Sequence, residues 1–152
     1  MKTKTILASI CLIVLSISFT NCSDDEGDTT KPVITLNAPA EGAVLKIGSA
    51  IHFDMDLEDN EMLGSYKVNI HTADDVHAST KAVASGVTDI FNGTWDVSGN
   101  RNIHIHHHEI VIKDDVKEGD YHFMVYCTDA AGNQTYMVRN IKLSHDGQSG
   151  EH

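Results

Sequence analysis

From Val33 onward the chain reads as short runs in which apolar and outward-facing residues alternate. In Ile51-His52-Phe53-Asp54-Met55-Asp56-Leu57 the odd positions are apolar and the even ones polar. Tyr66, Val68 and Ile70 alternate with Lys67, Asn69 and His71, and Tyr121, Phe123, Val125 and Cys127 alternate with His122, Met124, Tyr126 and Thr128. Val33 to Leu36 and Tyr136 to Leu143 open and close the series. A period of two is the signature of a half-buried β-strand. Turn-forming residues separate the runs: Pro39 to Gly42, Asp59-Asn60, Gly86, Gly93, Gly99-Asn100, Gly119-Asp120 and Gly132-Asn133. No long helical period follows Phe19. Each run buries one face only, so the pattern predicts two sheets packed face to face over residues 32–144.

The N-terminus has a different character. Lys2 and Lys4 precede an almost unbroken apolar run from Ile6 to Phe19. That run is too short to span a hydrocarbon core of ~30 Å but suits a signal peptide, predicted over residues 1–21. It ends at Thr20-Asn21-Cys22, and Cys22 resembles the lipidated first residue of a bacterial lipoprotein. Asn21 departs from the small residue usual at that position. Ser23-Asp24-Asp25-Glu26 looks like the acidic signal that carries some Gram-negative lipoproteins to the cell surface. Residues 22–31 hold no large apolar side chain after Cys22 and read as an acidic tether, and residues 145–152 as a polar tail.

Composition narrows the function. The chain of 152 residues has 22 acidic and 11 basic side chains, a formal charge of −11, and ten histidines. Nucleic-acid binding through phosphate neutralisation needs a basic face and is not expected here. Processing at the expected site would remove Cys11 and acylate Cys22. Cys127 then stands alone, so no disulfide is expected within the domain. As part of an inward set, Cys127 reads as an inert core thiol.

The segment Gly119-Asp120-Tyr121-His122-Phe123-Met124-Val125-Tyr126-Cys127-Thr128-Asp129-Ala130-Ala131-Gly132-Asn133 resembles the penultimate strand and turn of bacterial immunoglobulin-like and fibronectin-III-like domains. The resemblance implies an all-β, immunoglobulin-like sandwich of about seven antiparallel strands, with Tyr121 at the tyrosine-corner position. A closer resemblance is to a functionally uncharacterised family of Gram-negative surface lipoproteins. It rests on Leu63 to His71, an acidic turn ending at His77, Trp95-Asp96, His106 to Ile110, and Tyr121-His122-Phe123. It implies a metal-linked role. Of the histidine-rich turn in such relatives, this chain keeps only His77.

The histidines carry the candidate chemistry. Alternation places His71 and His122 outward, and the third and sixth strands of such a sandwich are antiparallel neighbours, so His71 should meet His122. His77 can fold back to the same pole, with Asp74 or Asp75 as a carboxylate ligand or as the group orienting an imidazole. Imidazole is the common ligand of Zn²⁺ and Cu²⁺, whose tetrahedral sites need three or four donors. In Ile103 to Ile112, His104 and His106 share a face with Cα atoms ~6.6 Å apart, a spacing for chelation. To keep Ile105 and both Ile110 and Ile112 buried, the phase must shift near His107, which a bulge would accomplish. The direction of this strand should bring His107 and His108 toward the His71/His122 pole. His52 and Asp54 are expected to face His104 or His106. His145 and His152 lie in the tail.

Other features point to little chemistry. The acidic stretch Asp54, Asp56, Glu58, Asp59 and Glu61 reads as a solvated face, because calcium favours loops and the first two lie on a strand. No nucleophile elbow, His-Glu-x-x-His helix or phosphate loop is present, so an enzyme is not expected. The reading is thus a lipid-anchored, surface-exposed outer-membrane protein that captures Zn²⁺ or Cu²⁺. Its partners would be the membrane and an outer-membrane transporter or surface protein. The rival is an adhesive or accessory module that binds a protein or glycan without a metal.

Overall fold

A computed structural model describes residues 27–73 and 88–149. It contains eight strands: β1 (Val33–Ala38), β2 (Val44–Lys46), β3 (Phe53–Glu58), β4 (Leu63–Thr72), β5 (Asp89–Asp96), β6 (Asn102–His107), β7 (Gly119–Asp129) and β8 (Gln134–Ser144). They form a three-stranded sheet, β1-β3-β6, and a five-stranded sheet, β2-β8-β7-β4-β5. The protein is an all-β, immunoglobulin-like sandwich. Cys22, His77, Asp74 and Asp75 lie outside the described residues.

The alternation seen in sequence sets what each sheet buries. Phe53, Met55 and Leu57 of β3 are fully buried, as are Val68 and Ile70 of β4 and Phe123, Val125 and Cys127 of β7. Ile105, Ile110, Ile112, Ile141 and Leu143 complete the floor and ends of the core. The Tyr121 hydroxyl donates to the Lys117 carbonyl at 2.8 Å, the tyrosine-corner bond expected at this position. The turn after β7 closes through Asp129, whose Oδ1 accepts the Asn133 amide at 2.7 Å, with Gly132 at φ +94°.

Two of the eight strands fall where the alternation marked no run. β2 is only three residues long, its central Leu45 only half-buried and its flanking residues exposed, and it pairs in parallel with β8. β5 carries Gly93 at its centre, opposite Val68, where the sequence suggested a turn. Gly93 serves packing instead. A Cβ there would stand 2.7 Å from the Trp95 ring and 3.0 Å from Phe91. The missing side chain lets these two inward rings close over it.

The phase shift in the histidine run falls just beyond β6. Phe53 pairs with His107, yet the Ile51 amide donates to the Ile110 carbonyl. His108 and Glu109 together therefore oppose the single residue His52. This extra residue returns Ile110 and Ile112 to the core, both at most 1% exposed, and it projects His108 and Glu109 outward.

Candidate metal centre

The outer face of the three-stranded sheet and its continuation gather His52, His104, His106 and His108. Register pairs Asp54 with His106 and Asp56 with His104. His52 and His108 sit one step further, where β3 begins and β6 has ended. His52 Nδ1 lies 3.3 Å from His108 Nε2. The His52 and His106 rings meet edge to face at 4.8 Å, and those of His106 and His108 at 5.6 Å. The ligating atoms of His52, His106 and His108 all lie within 4.8 Å of one another. A second set, Asp54, His104 and His106, meets the same measure and shares His106.

The 3.3 Å contact of His52 with His108 is a hydrogen bond between the two imidazoles, and its length also suits shared ligation of one ion. Two nitrogens bound at ~2.0–2.1 Å to one tetrahedral ion stand ~3.3–3.4 Å apart. His106, itself exposed, offers a third nitrogen within 4.8 Å of the other two. Three protein donors on an open surface leave a fourth position for water or an incoming ligand, as in sites that exchange or act rather than merely brace a fold.

Carboxylates support this face. His104 Nδ1 lies 2.9 Å from Asp56 Oδ1, and its Nε2 lies 3.5 Å from Asp54 Oδ2, which is also 3.3 Å from His106 Nδ1. The hydrogen bond to Asp56, then the nearby Asp54 charge, raises the His104 pKa above its ordinary value. Asn37 holds both carboxylates, donating to Asp54 at 2.7 Å and to Asp56 at 2.9 Å. Its bond to Asp56, followed by that of His104, lowers the Asp56 pKa. Carboxylates bonded to ligand imidazoles fix ring orientation and raise basicity.

His107, grouped with the ligands in sequence, takes a different part. It continues the inward set of Ile103 and Ile105, so its ring lies between Phe53 at 5.0 Å and Trp95 at 5.2 Å. Its Nδ1 accepts the Glu109 amide at 3.2 Å, which leaves the proton on Nε2, and Nε2 donates to the Tyr66 hydroxyl at 2.9 Å. Both nitrogens are engaged and no donor remains for an ion. Partial burial lowers the His107 pKa. Tyr66 stacks on Trp95 at 4.9 Å, and the Trp95 indole donates to Glu109 at 2.7 Å. Burial raises the Tyr66 pKa. Together these groups seal the sandwich edge between β5 and β6.

His71 and His122 are register partners, with rings edge to face at 5.4 Å. His71 Nδ1 lies 2.7 Å from Asn69 Oδ1, and burial, then the neighbouring His122, lowers its pKa. The expected approach of His107 and His108 to this pair does not occur. His71 and His122 face outward from the five-stranded sheet and His108 outward from the three-stranded one, so a sandwich ~10 Å thick separates them. His52 was expected to face His104 or His106, and the structure sets it against His106 and His108. His52 precedes its strand, and its link to His108 depends on the extra residue after His107.

The fold and this face define an immunoglobulin-like sandwich with a histidine and carboxylate surface on its smaller sheet. Residues 20–144 match the family described as Domain of unknown function (DUF4625), and the chain belongs to that family. No curated protein matches it. Among solved structures, it is similar to fibronectin(III)-like modules of Clostridium thermocellum CbhA. The identity is 13% and the TM-score 0.38, over 76% of this chain and 100% of that one. It is also similar to a DUF4466 family protein from Parabacteroides merdae, at 13% identity and TM-score 0.43, over 76% of this chain and 44% of that one. A third is an LPMO from Kitasatospora papulosa, at 11% identity and TM-score 0.41, over 69% and 52%. The chain thus spans about half the length of the latter two proteins.

Proposed function

We propose that this protein is a lipid-anchored surface protein that captures a transition metal, Zn²⁺ or Cu²⁺, on the outer face of the β1-β3-β6 sheet. His52, His106 and His108 are the ligands, and Asp54, Asp56 and His104 orient or extend the set. The observation that carries this reading is the 3.3 Å approach of His52 Nδ1 to His108 Nε2 beside His106. The exposure of His106 and His108 supports a site that loads and releases an ion rather than one that braces the fold. Cys22, following the apolar run from Ile6 to Phe19, supplies the anchor.

Equilibrium dialysis of untagged full-length protein in detergent tests the metal. We expect about one ion bound with sub-micromolar affinity, lost in His52→Ala plus His108→Ala and kept in His71→Ala plus His122→Ala. Unchanged binding in the first pair, or none in the wild type, contradicts the site. For the anchor, Cys22→Ser should move the protein out of the membrane fraction, and unchanged fractionation refutes lipidation there.

A further inference from the structure

At one pole of the sandwich, three carboxylates from distant parts of the chain converge: Asp28 before β1, Asp59 after β3 and Asp129 at the end of β7. One oxygen from each lies within 4.8 Å of the others, Asp129 is buried, and Oδ2 of the half-buried Asp59 is enclosed. The surrounding bonds account for part of their capacity. Asp59 Oδ1 accepts the amides of Glu61 and Met62, at 2.9 and 2.7 Å. Asp28 Oδ1 accepts Asn60 Nδ2 at 3.0 Å and the Thr30 amide at 2.9 Å. Asp129 accepts the Asn133 amide and Asn133 Nδ2, both at 2.7 Å. The other oxygen of Asp59, Oδ2, is buried with no hydrogen-bond partner. Among the described residues, no Lys, Arg or His forms an ion pair with any of the three.

A buried carboxylate oxygen without a donor, on a side chain grouped with two further carboxylates, is costly unless a cation meets it. Oxygen-only donors select a hard ion. Two oxygens each ~2.4 Å from one Ca²⁺ can be at most ~4.8 Å apart, which the three satisfy, and its 6–8 coordination leaves places for water. We propose that Asp28, Asp59 and Asp129 bind a calcium ion. This site uses none of the histidine ligands and stands independently of the transition-metal reading. Its consequence is mechanical. Asp28 belongs to the segment read in sequence as a tether, yet its carbonyl already accepts Asn133 Nδ2 at 2.9 Å. A bound ion would clamp the base of that tether to the β3–β4 and β7–β8 turns and fix how the domain stands on its anchor.

The test is a calcium titration of the full-length protein in detergent, after chelation, followed by calorimetric binding and by thermal melting. Calcium should bind and raise Tm by several degrees, with magnesium doing less because it resists such dehydrated sites. Asp59→Asn keeps an acceptor for the Glu61 and Met62 amides and should weaken calcium binding at least ~10-fold. Asp28→Asn, at the less buried ligand, should do the same without risk to the core. Zinc binding at the histidines should persist in both. If calcium neither binds nor shifts Tm in the wild type, or if both variants keep the full response, the site is refuted.

Discussion

Tyr66→Phe isolates the bond that holds the edge of the sandwich. The substitution keeps the ring that stacks on Trp95 at 4.9 Å and removes only the hydroxyl that receives His107 Nε2 at 2.9 Å. His107 cannot redirect that proton, because Nδ1 already accepts the Glu109 amide. A buried donor left without its acceptor costs ~1–3 kcal/mol. His107 is only half-buried, so water can recover part of the loss, and the lower end, about 1–1.5 kcal/mol, applies. For a domain of this size that is a fall in Tm of about 3–6 °C. Thermal melts by circular dichroism in EDTA, which keeps metal off the adjacent His106 and His108, give the number. The control is the same change in a His107→Phe background, where no nitrogen needs an acceptor. There the cost should shrink to within ~0.5 kcal/mol of zero. An equal cost in both backgrounds would refute the coupling, as would no cost in the native protein.

Three further outcomes follow from the same geometry. Gly93→Ala places a Cβ 2.7 Å from the Trp95 ring and should destabilise by ~1–3 kcal/mol in urea melts, and an unchanged midpoint would show that the rings have room to move. Burial, then the charges of Asp59 and Asp129, pushes the Cys127 thiol up to about 12, so it should resist alkylation by iodoacetamide at pH 8 until the protein is unfolded. Rapid labelling of the native form would contradict that. The lowered pKa of His107 means that the unfolded chain takes up this proton more readily than the folded one, so stability from this residue is full above pH ~6.5 and falls as the pH drops below it. Melts in EDTA between pH 7.5 and 5 should show the fall, and His107→Phe should flatten it.

The alternation in β3, β4 and β7 made the sandwich and its inward residues legible, because a period of two leaves little choice of face when one side is buried. It also made legible the meeting of His71 with His122, which needs only the strand order. β2 and β5 escaped for opposite reasons. β2 is three residues with little burial to mark it, and β5 hides behind a glycine that packs rings rather than turning the chain. His107 was misjudged because its neighbours on both sides are exposed, and only the position of the extra residue, after it rather than at it, decides which way it points. The facing of Asp54 with His106 was legible too, from the alternation of the two strands, whereas Asp56 was read only as solvated and the structure pairs it with His104. The cluster of Asp28, Asp59 and Asp129 joins three turns far apart in sequence, and no local pattern reports such a meeting.

The most direct test of the metal centre is the location of the ion itself. Crystals of the untagged protein grown with equimolar zinc, measured on both sides of the zinc absorption edge, show where it binds. The account predicts one dominant anomalous peak within ~2.0–2.1 Å of His52 Nδ1, His108 Nε2 and a nitrogen of His106. A dominant peak between His71 and His122, or none above the tail histidine His145, would contradict it.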